Sequence, residues 1–300
     1  MTGRYLQAIR RRVSKADSSC VLTAIPRQSS LPRHNRIKGS PSAMRNSRIV
    51  FHGFRNTLVF DEDVILEDTT IDFIGDDSIV YLCKSRHPYR ISVSMNHNCV
   101  FYMGQNNYMN GSLHVILSEQ KHFFVGNEGL FSFDIWARTA DPHLIYSCES
   151  MERINPSQSI FLGDHVWVGQ NVMLLKGCQV DSGSIIGAGA VLSGKAVPHN
   201  AIYAGNPAKE IRRGIFWEGS CVHSWKGEQT VLSQDFRNYA AVRNDVSSPE
   251  QYIYHFDSSY QISYNDLDSA FSDTDLEKKL SLLQSLNDGN HKERFVHTSD

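Results

Sequence analysis

Aliphatic side chains recur at every sixth position from Leu162 through Val168, Leu174, Val180 and Ile186 to Leu192. A second track of the same period runs Ile160, Val166, Val172, Cys178, Ser184, Ala190, Ala196, and its members are small from Cys178 onward. The residue after an aliphatic of the first track is often Gly or Asp: Gly163, Gly169, Asp181, Gly187. A period of six fits neither the 3.6 of a helix nor the 2 of a plain strand. It fits a parallel β-helix, in which a short strand and a sharp corner return the same side-chain type to the same place on every turn. The aliphatic points inward, the small residue packs at the corner, and Gly or Asp is expected to take the unusual backbone angles of the turn. Three sixes close a triangular coil, stacked on the next at the roughly 4.8 Å spacing of neighbouring strands. Such coils bury their apolar edges only against one another, so several are needed.

Upstream, residues 57–140 carry a worn form of this rhythm, with Val59, Ile65 and Ile71 in step and a Gly after an aliphatic at Ile74-Gly75 and Val125-Gly126. KSRHPYR and GQNNYMNGS interrupt it as loops. The rhythm stops after Pro198, and Gly205-Asn206-Pro207 reads as a turn. Far downstream, SDTDLEKKLSLLQSL predicts a helix near 275–287, with Thr274 and Glu277 as a capping box and Leu276, Leu280 and Leu283 on one face. The expected fold is therefore dominated by β-structure: a solenoid over 57–214, a basic extension over 1–56, and a mixed, partly helical extension over 215–300.

Charge supports that division. Residues 1–56 hold twelve Lys or Arg and one acid, whereas 215–300 hold seven bases and fourteen acids. The basic leader suits a solvated extension, with peripheral contact to an anionic surface as its functional reading. Its bases are not interleaved with a nucleic-acid recognition element, so no nucleic acid partner is expected. No apolar run reaches the roughly 18 residues of a membrane span, and the amino terminus lacks the apolar core of a secretion signal, which points to the cytoplasm. Six scattered cysteines without a CxxC pair argue for a reducing compartment and against a structural zinc.

DPHLIY (141–146), RINP (153–156), IFLGDHVWVGQNVMLLKG (160–177), SIIGAGAVL (184–192) and IYAGNPAKEIR (202–212), in this order, resemble the hexapeptide-repeat acyltransferases, and within them the branch that O-acetylates sugars, including bacterial capsular polysaccharides. The likeness is strong over 125–214 and weak over 57–124, and FWEGSCVHSW (216–225) is similar to the tails of some capsule-modifying members. The resemblance implies a left-handed coil, a homotrimer, and acetyl-coenzyme A held in grooves between subunits. Handedness comes from the resemblance alone, since parallel crossovers otherwise favour the right hand.

Moving an acetyl group from a thioester to a sugar hydroxyl requires a base for the hydroxyl proton. Histidine, with an ordinary pKa near ~6.5, is suited to that task. Neither a metal nor an acyl-enzyme is required, because the thioester is already activated and both substrates can be held together. His143 follows Asp141-Pro142 where the regular coil ends, and the resemblance places the family's catalytic histidine here. His165 is its rival, read as a structural or acceptor-lining residue on a coil turn, and Asp134 and Asp141 are the carboxylates that could orient the base. Trp167 lies between inward-pointing Val166 and Val168, so alternation sends its ring outward, and the family's tryptophan at this position borders the thioester. Small residues Gly187, Ala188, Ala204 and Gly205 would admit the pantetheine arm, while Lys209, Arg212 and Arg213 would meet the phosphates of coenzyme A. Two alternatives stay open: an amine-acylating enzyme acting on an amino sugar or drug, and a non-catalytic β-helix scaffold. A metal hydratase on such a fold would need a His-x4-His pair, which the chain lacks.

Overall fold

The computed structural model describes residues 19–26, 31–243, 248–255, 261–288, 292 and 294–297. The chain forms a left-handed β-solenoid of about seven turns followed by helices. Two faces are eight-stranded sheets. The first runs from Cys20–Leu22 through Ile135–Arg138 and Met173–Leu175 to Val191–Leu192, the second from Arg36–Lys38 through Phe123–Val125 and Ile160–Leu162 to Ala196–Val197. The third holds Tyr108–Met109, Leu130–Phe131, Trp167–Val168, Ile185–Ile186, Ala201–Ala204 and Lys209–Arg213. Pairing is parallel except at the two ends, where Cys20–Leu22 and Lys209–Arg213 run antiparallel to their neighbours.

Every member of the first six-residue track, Leu162 to Leu192, is fully buried in the coil interior, as are Ile160 to Ala190 of the second. Ala196 departs from its track and is exposed, because the last coil is one residue short: Val180 pairs with Val197. Upstream, Leu58 pairs with Val80 and Val80 with Phe101, so these coils take 22 and 21 residues where Phe161 and Gln179 are 18 apart. The extra residues sit at the corners and slip the six-residue count. Hence Leu58, Phe60, Val64 and Leu66 point into the core, while Val59 faces the other side of its strand and Ile65 is only half-buried.

Strands continue upstream of residue 57. Arg36–Lys38 pairs with Thr57–Phe60 and Arg48–Phe51 with Thr70–Phe73, so the coil stack already includes part of the stretch expected to be a basic leader. The rest of that leader, residues 1–18 and 27–30, lies outside the described residues.

The corner glycines have a different cause from the one expected. Positive φ falls two residues later, at His165 (φ 55°), Asn171 (57°), Gly183 (73°) and Gly189 (70°). Gly163 and Gly169 instead let successive corners stack: a Cβ on Gly163 would lie 2.6 Å from the Ser182 hydroxyl oxygen, and one on Gly169 2.6 Å from the Ala188 nitrogen.

The C-terminal segment covers the outside of the second face. Helices Tyr264–Phe271 and Leu276–Asp288 and the short strand Phe295–Val296 set Tyr264, Leu267, Phe271, Leu280, Leu283, Leu286 and Phe295 against Val59, Tyr81, Tyr102, Phe124 and Phe161. The helix expected near 275–287 is present, with its leucine face buried. Its cap is Asp275 rather than Thr274, the Asp275 carboxylate accepting from the Glu277 amide at 2.9 Å. Arg294 anchors this segment through both oxygens of Asp164, at 2.6 and 3.1 Å, and both side chains are buried. His297 pairs with the buried Asp181 at 2.7 Å.

Candidate active site

A solenoid presents its chemistry on outward positions and on loops that leave the corners. Residues 139–159 form such a loop. It departs after Ile135–Arg138 on the first face and returns at Ile160–Leu162 on the second, with an antiparallel bridge between Tyr146 and Arg153. The loop side chains Leu144, Ile145, Tyr146, Met151 and Ile154 are exposed apolar groups, and His143 is exposed among them.

The root of the loop is tightly pinned. Asn155 donates to the His143 carbonyl at 2.8 Å and to the Asp141 carboxylate at 3.0 Å, and it accepts from the Ile145 amide at 2.9 Å. Lys176 meets Asp141 at 2.5 Å and Arg153 meets Glu119 through two bonds of 2.8 Å. The Lys176 hydrogen bond holds Asp141 below the usual carboxylate range, and the Arg153 hydrogen bond brings Glu119 down to about 2. Asp141 thus fixes the backbone on which His143 stands. Asp134 sits at another corner, exposed, with φ 56°. Asn155, Arg153, Lys176 and Glu119 had no distinguishing mark in the sequence. Arg153 and Asn155 lie in RINP and Lys176 in the 160–177 stretch of the ordered motifs, whereas Glu119 lies in none of them.

Trp167 stands on the third face and is 39% exposed. Its row of outward positions is continuous: Tyr108, Leu130, Trp167, Ile185, Ile202 and Arg212 are Cα partners in turn. From Trp167 to Arg212 is three strand spacings, about 14 Å. Gly187, Ala188, Ala204 and Gly205 lie at the corner beside this row, and a Cβ on Gly187 would approach that of Ala204 to 2.8 Å. Glycine at 205 (φ 94°) opens the turn through Asn206-Pro207 that folds Lys209–Arg213 back on Ala201–Ala204. All three basic residues of that strand are exposed. Arg213 is paired with Glu210 at 2.7 Å, whereas Lys209 and Arg212 form no ion pair among the described residues.

The fold does not bring His143 and Trp167 together within one chain. The loop is rooted at the corner between the first and second faces, opposite the third, and no hydrogen bond or ring contact joins the two among the described residues.

His165 is spoken for. Its ring stacks face to face on Trp217, centroids 3.8 Å apart and planes 3° off parallel. A carbonyl can only accept, so the Nε2 of His165, 3.0 Å from the Trp217 carbonyl, carries the proton, and the Trp217 indole donates back to the His165 carbonyl at 3.1 Å. Burial pushes His165 below the ordinary histidine value, which keeps it neutral. Trp217 also lies 5.8 Å from Trp167, centroid to centroid. The tail segment 216–225 therefore supplies the wall against which Trp167 rests, a role its sequence did not disclose. Trp217→Phe keeps the stack and loses the indole hydrogen bond, and is expected to cost about 1 kcal/mol, read from the urea midpoint. His122 is likewise structural: burial brings it down to about 3, and its Nδ1 accepts from the Val100 amide at 3.1 Å. No cluster of three or more metal-ligating side chains occurs among the described residues, and no helix there is long and apolar enough to cross a membrane.

Coils of this kind with this repeat define the hexapeptide-repeat transferase fold, and the family model for the bacterial transferase hexapeptide (six repeats) matches residues 159–194. Within that class the chain is similar to a polysialic acid O-acetyltransferase of Neisseria meningitidis, 24% identical over 205 residues that take in 68% of this chain and 95% of the relative. A polysialic acid O-acetyltransferase of Escherichia coli O1:K1 / APEC is 32% identical over 102 residues, 34% of this chain and 33% of that one. Among solved structures, that of the polySia-specific acetyltransferase NeuO superposes with a TM-score of 0.56 at 26% identity, covering 69% of this chain and 97% of the other. The resemblance read from the ordered motifs is borne out.

Proposed function

We propose that the protein transfers an acetyl group from acetyl-coenzyme A to a hydroxyl of a bacterial surface or capsular polysaccharide, in a direct-transfer ternary complex. The observation that carries this reading is the outward row from Trp167 to Arg212, which matches a long, thin donor with an acyl group at one end and phosphates at the other. Lys209 and Arg212 would hold the phosphates, with Arg213 weakened by Glu210. The small residues Gly187, Ala188, Ala204 and Gly205 would admit the pantetheine, and Trp167 would border the thioester. Bound there, the donor supplies an acetyl group already activated for attack. His143 takes the proton of the attacking hydroxyl and returns it to the departing thiolate, so no charge is left on the protein. The O-acetylating relatives favour oxygen over nitrogen as the acceptor atom.

With the loop of His143 rooted at the corner opposite the face of Trp167, each site would combine two chains, the loop of one reaching the third face of the next. A homotrimer satisfies this: the tail covers the second face, leaving the first and third faces, with Trp136 and Met173 exposed on the first, for neighbours. Incubation with labelled acetyl-coenzyme A and a panel of capsular glycans, together with sedimentation analysis, tests the reading. Glycan labelling by a trimer is the expected result. No binding of the donor, or full activity in a monomer, overturns it.

A further inference from the structure

The row on the third face continues beyond Trp167, away from the basic end, through Leu130 to Tyr108, which is 42% exposed. Tyr108 ends the row and is met edge-on by the His87 ring at 4.9 Å. The corner that carries His87 also carries Lys84 and Arg86, both exposed, with neither side chain in an ion pair among the described residues. Nearby carboxylates are few. Asp61, engaged by Tyr81 and Asn287, also accepts from the Lys84 amide at 3.3 Å, Glu67 is held by Arg90, and Glu128 stands on the next corner, its amide donating to the Gln105 carbonyl. An exposed aromatic plane about 10 Å from Trp167, two strand spacings along the same row, is suited to the apolar face of a sugar ring. The adjoining unpaired cations are suited to a carboxylate or other anion on that sugar.

We propose that Lys84, Arg86, His87 and Tyr108 form the acceptor subsite and take an acidic glycan chain, laid along the third face so that the unit being acetylated reaches Trp167. This rests on the acetyl-transfer reading for its orientation, but not for its binding. The donor occupies the row on one side of Trp167 and the acceptor the other, so the two would meet without overlapping.

Binding of fluorescently labelled oligosialic acid to the full chain, followed by anisotropy without any donor, tests the subsite apart from catalysis, with dextran of similar length as the uncharged control. The wild-type protein is expected to bind the acidic chain, more weakly as salt rises, and to leave dextran unbound. Lys84→Ala with Arg86→Ala should weaken binding about tenfold, and Tyr108→Ala by a similar factor, with thermal melting unchanged. In acetyl transfer the same variants should raise KM for the acidic glycan and leave KM for acetyl-coenzyme A as it was. Equal binding by wild type and variants, no binding of the acidic chain, or equal binding of dextran overturns the subsite. If the acidic chain binds and the variants lose it while no acetyl is ever transferred, the subsite stands and the enzymatic reading falls.

Discussion

Replacing His143 by alanine is expected to lower turnover by about 10² to 10⁴ while leaving donor affinity nearly unchanged, because a general base acts on the transition state and hardly on ground-state binding. The side chain is exposed on a loop whose shape is set by others: Asn155 holds the His143 carbonyl, and Lys176 and Asn155 hold Asp141. Its removal therefore leaves the loop intact, and the melting temperature should not move. Trp167→Ala should disturb both donor binding and rate. His165→Ala should act chiefly on stability, since its ring is clamped under Trp217 and its Nε2 is engaged by a main-chain carbonyl. A folded His143→Ala protein with near-normal turnover would reassign the base.

The largest expected effect on stability comes from the far end of the chain. Arg294→Met removes the partner of a buried Asp164 carboxylate whose other contact is the Asn127 amide at 2.6 Å. An uncompensated buried charge typically costs about 3–5 kcal/mol. Adding Asp164→Asn removes that charge and still leaves an oxygen for the Asn127 amide, so the double variant should regain much of the loss. Urea denaturation of the two variants beside the wild type measures this, and a double variant no more stable than Arg294→Met would show that the ion pair is not what holds the segment.

The sequence disclosed the coil where its corners are lean and concealed it where they are not. From Phe161 onward the coils take 18 or 17 residues and the count in sixes lands on buried positions. Earlier coils, of 21 and 22 residues, carry surplus corner residues, and counting in sixes put Val59 and Ile65 where Leu58 and Leu66 belong. A period is a property of repeats of equal length, so unequal corners erase it while the stacked strands persist. The basic composition of residues 36–56 hid the first coil for a related reason. Its strands bury one edge only, so outward Arg36, Lys38 and Arg48 dominate the count over inward Ile49 and Phe51. The residues proposed for the site, His143 and Trp167, were singled out because they belong to an ordered motif. Trp217 and Arg294 were not, because contacts across 52 and 130 residues leave no local pattern.

The covered second face has a consequence for the order of synthesis. Coils can stack one by one as they emerge, each resting on the last, and nothing in their ladder waits for later chain. Their second face, however, stays greasy and Asp164 stays bare until residues 262–297 have been made, and Arg294 follows Asp164 by 130 residues. The nascent molecule is thus a finished scaffold with an unfinished flank, and it is in that interval that a chaperone, or another half-made copy, has the most to hold.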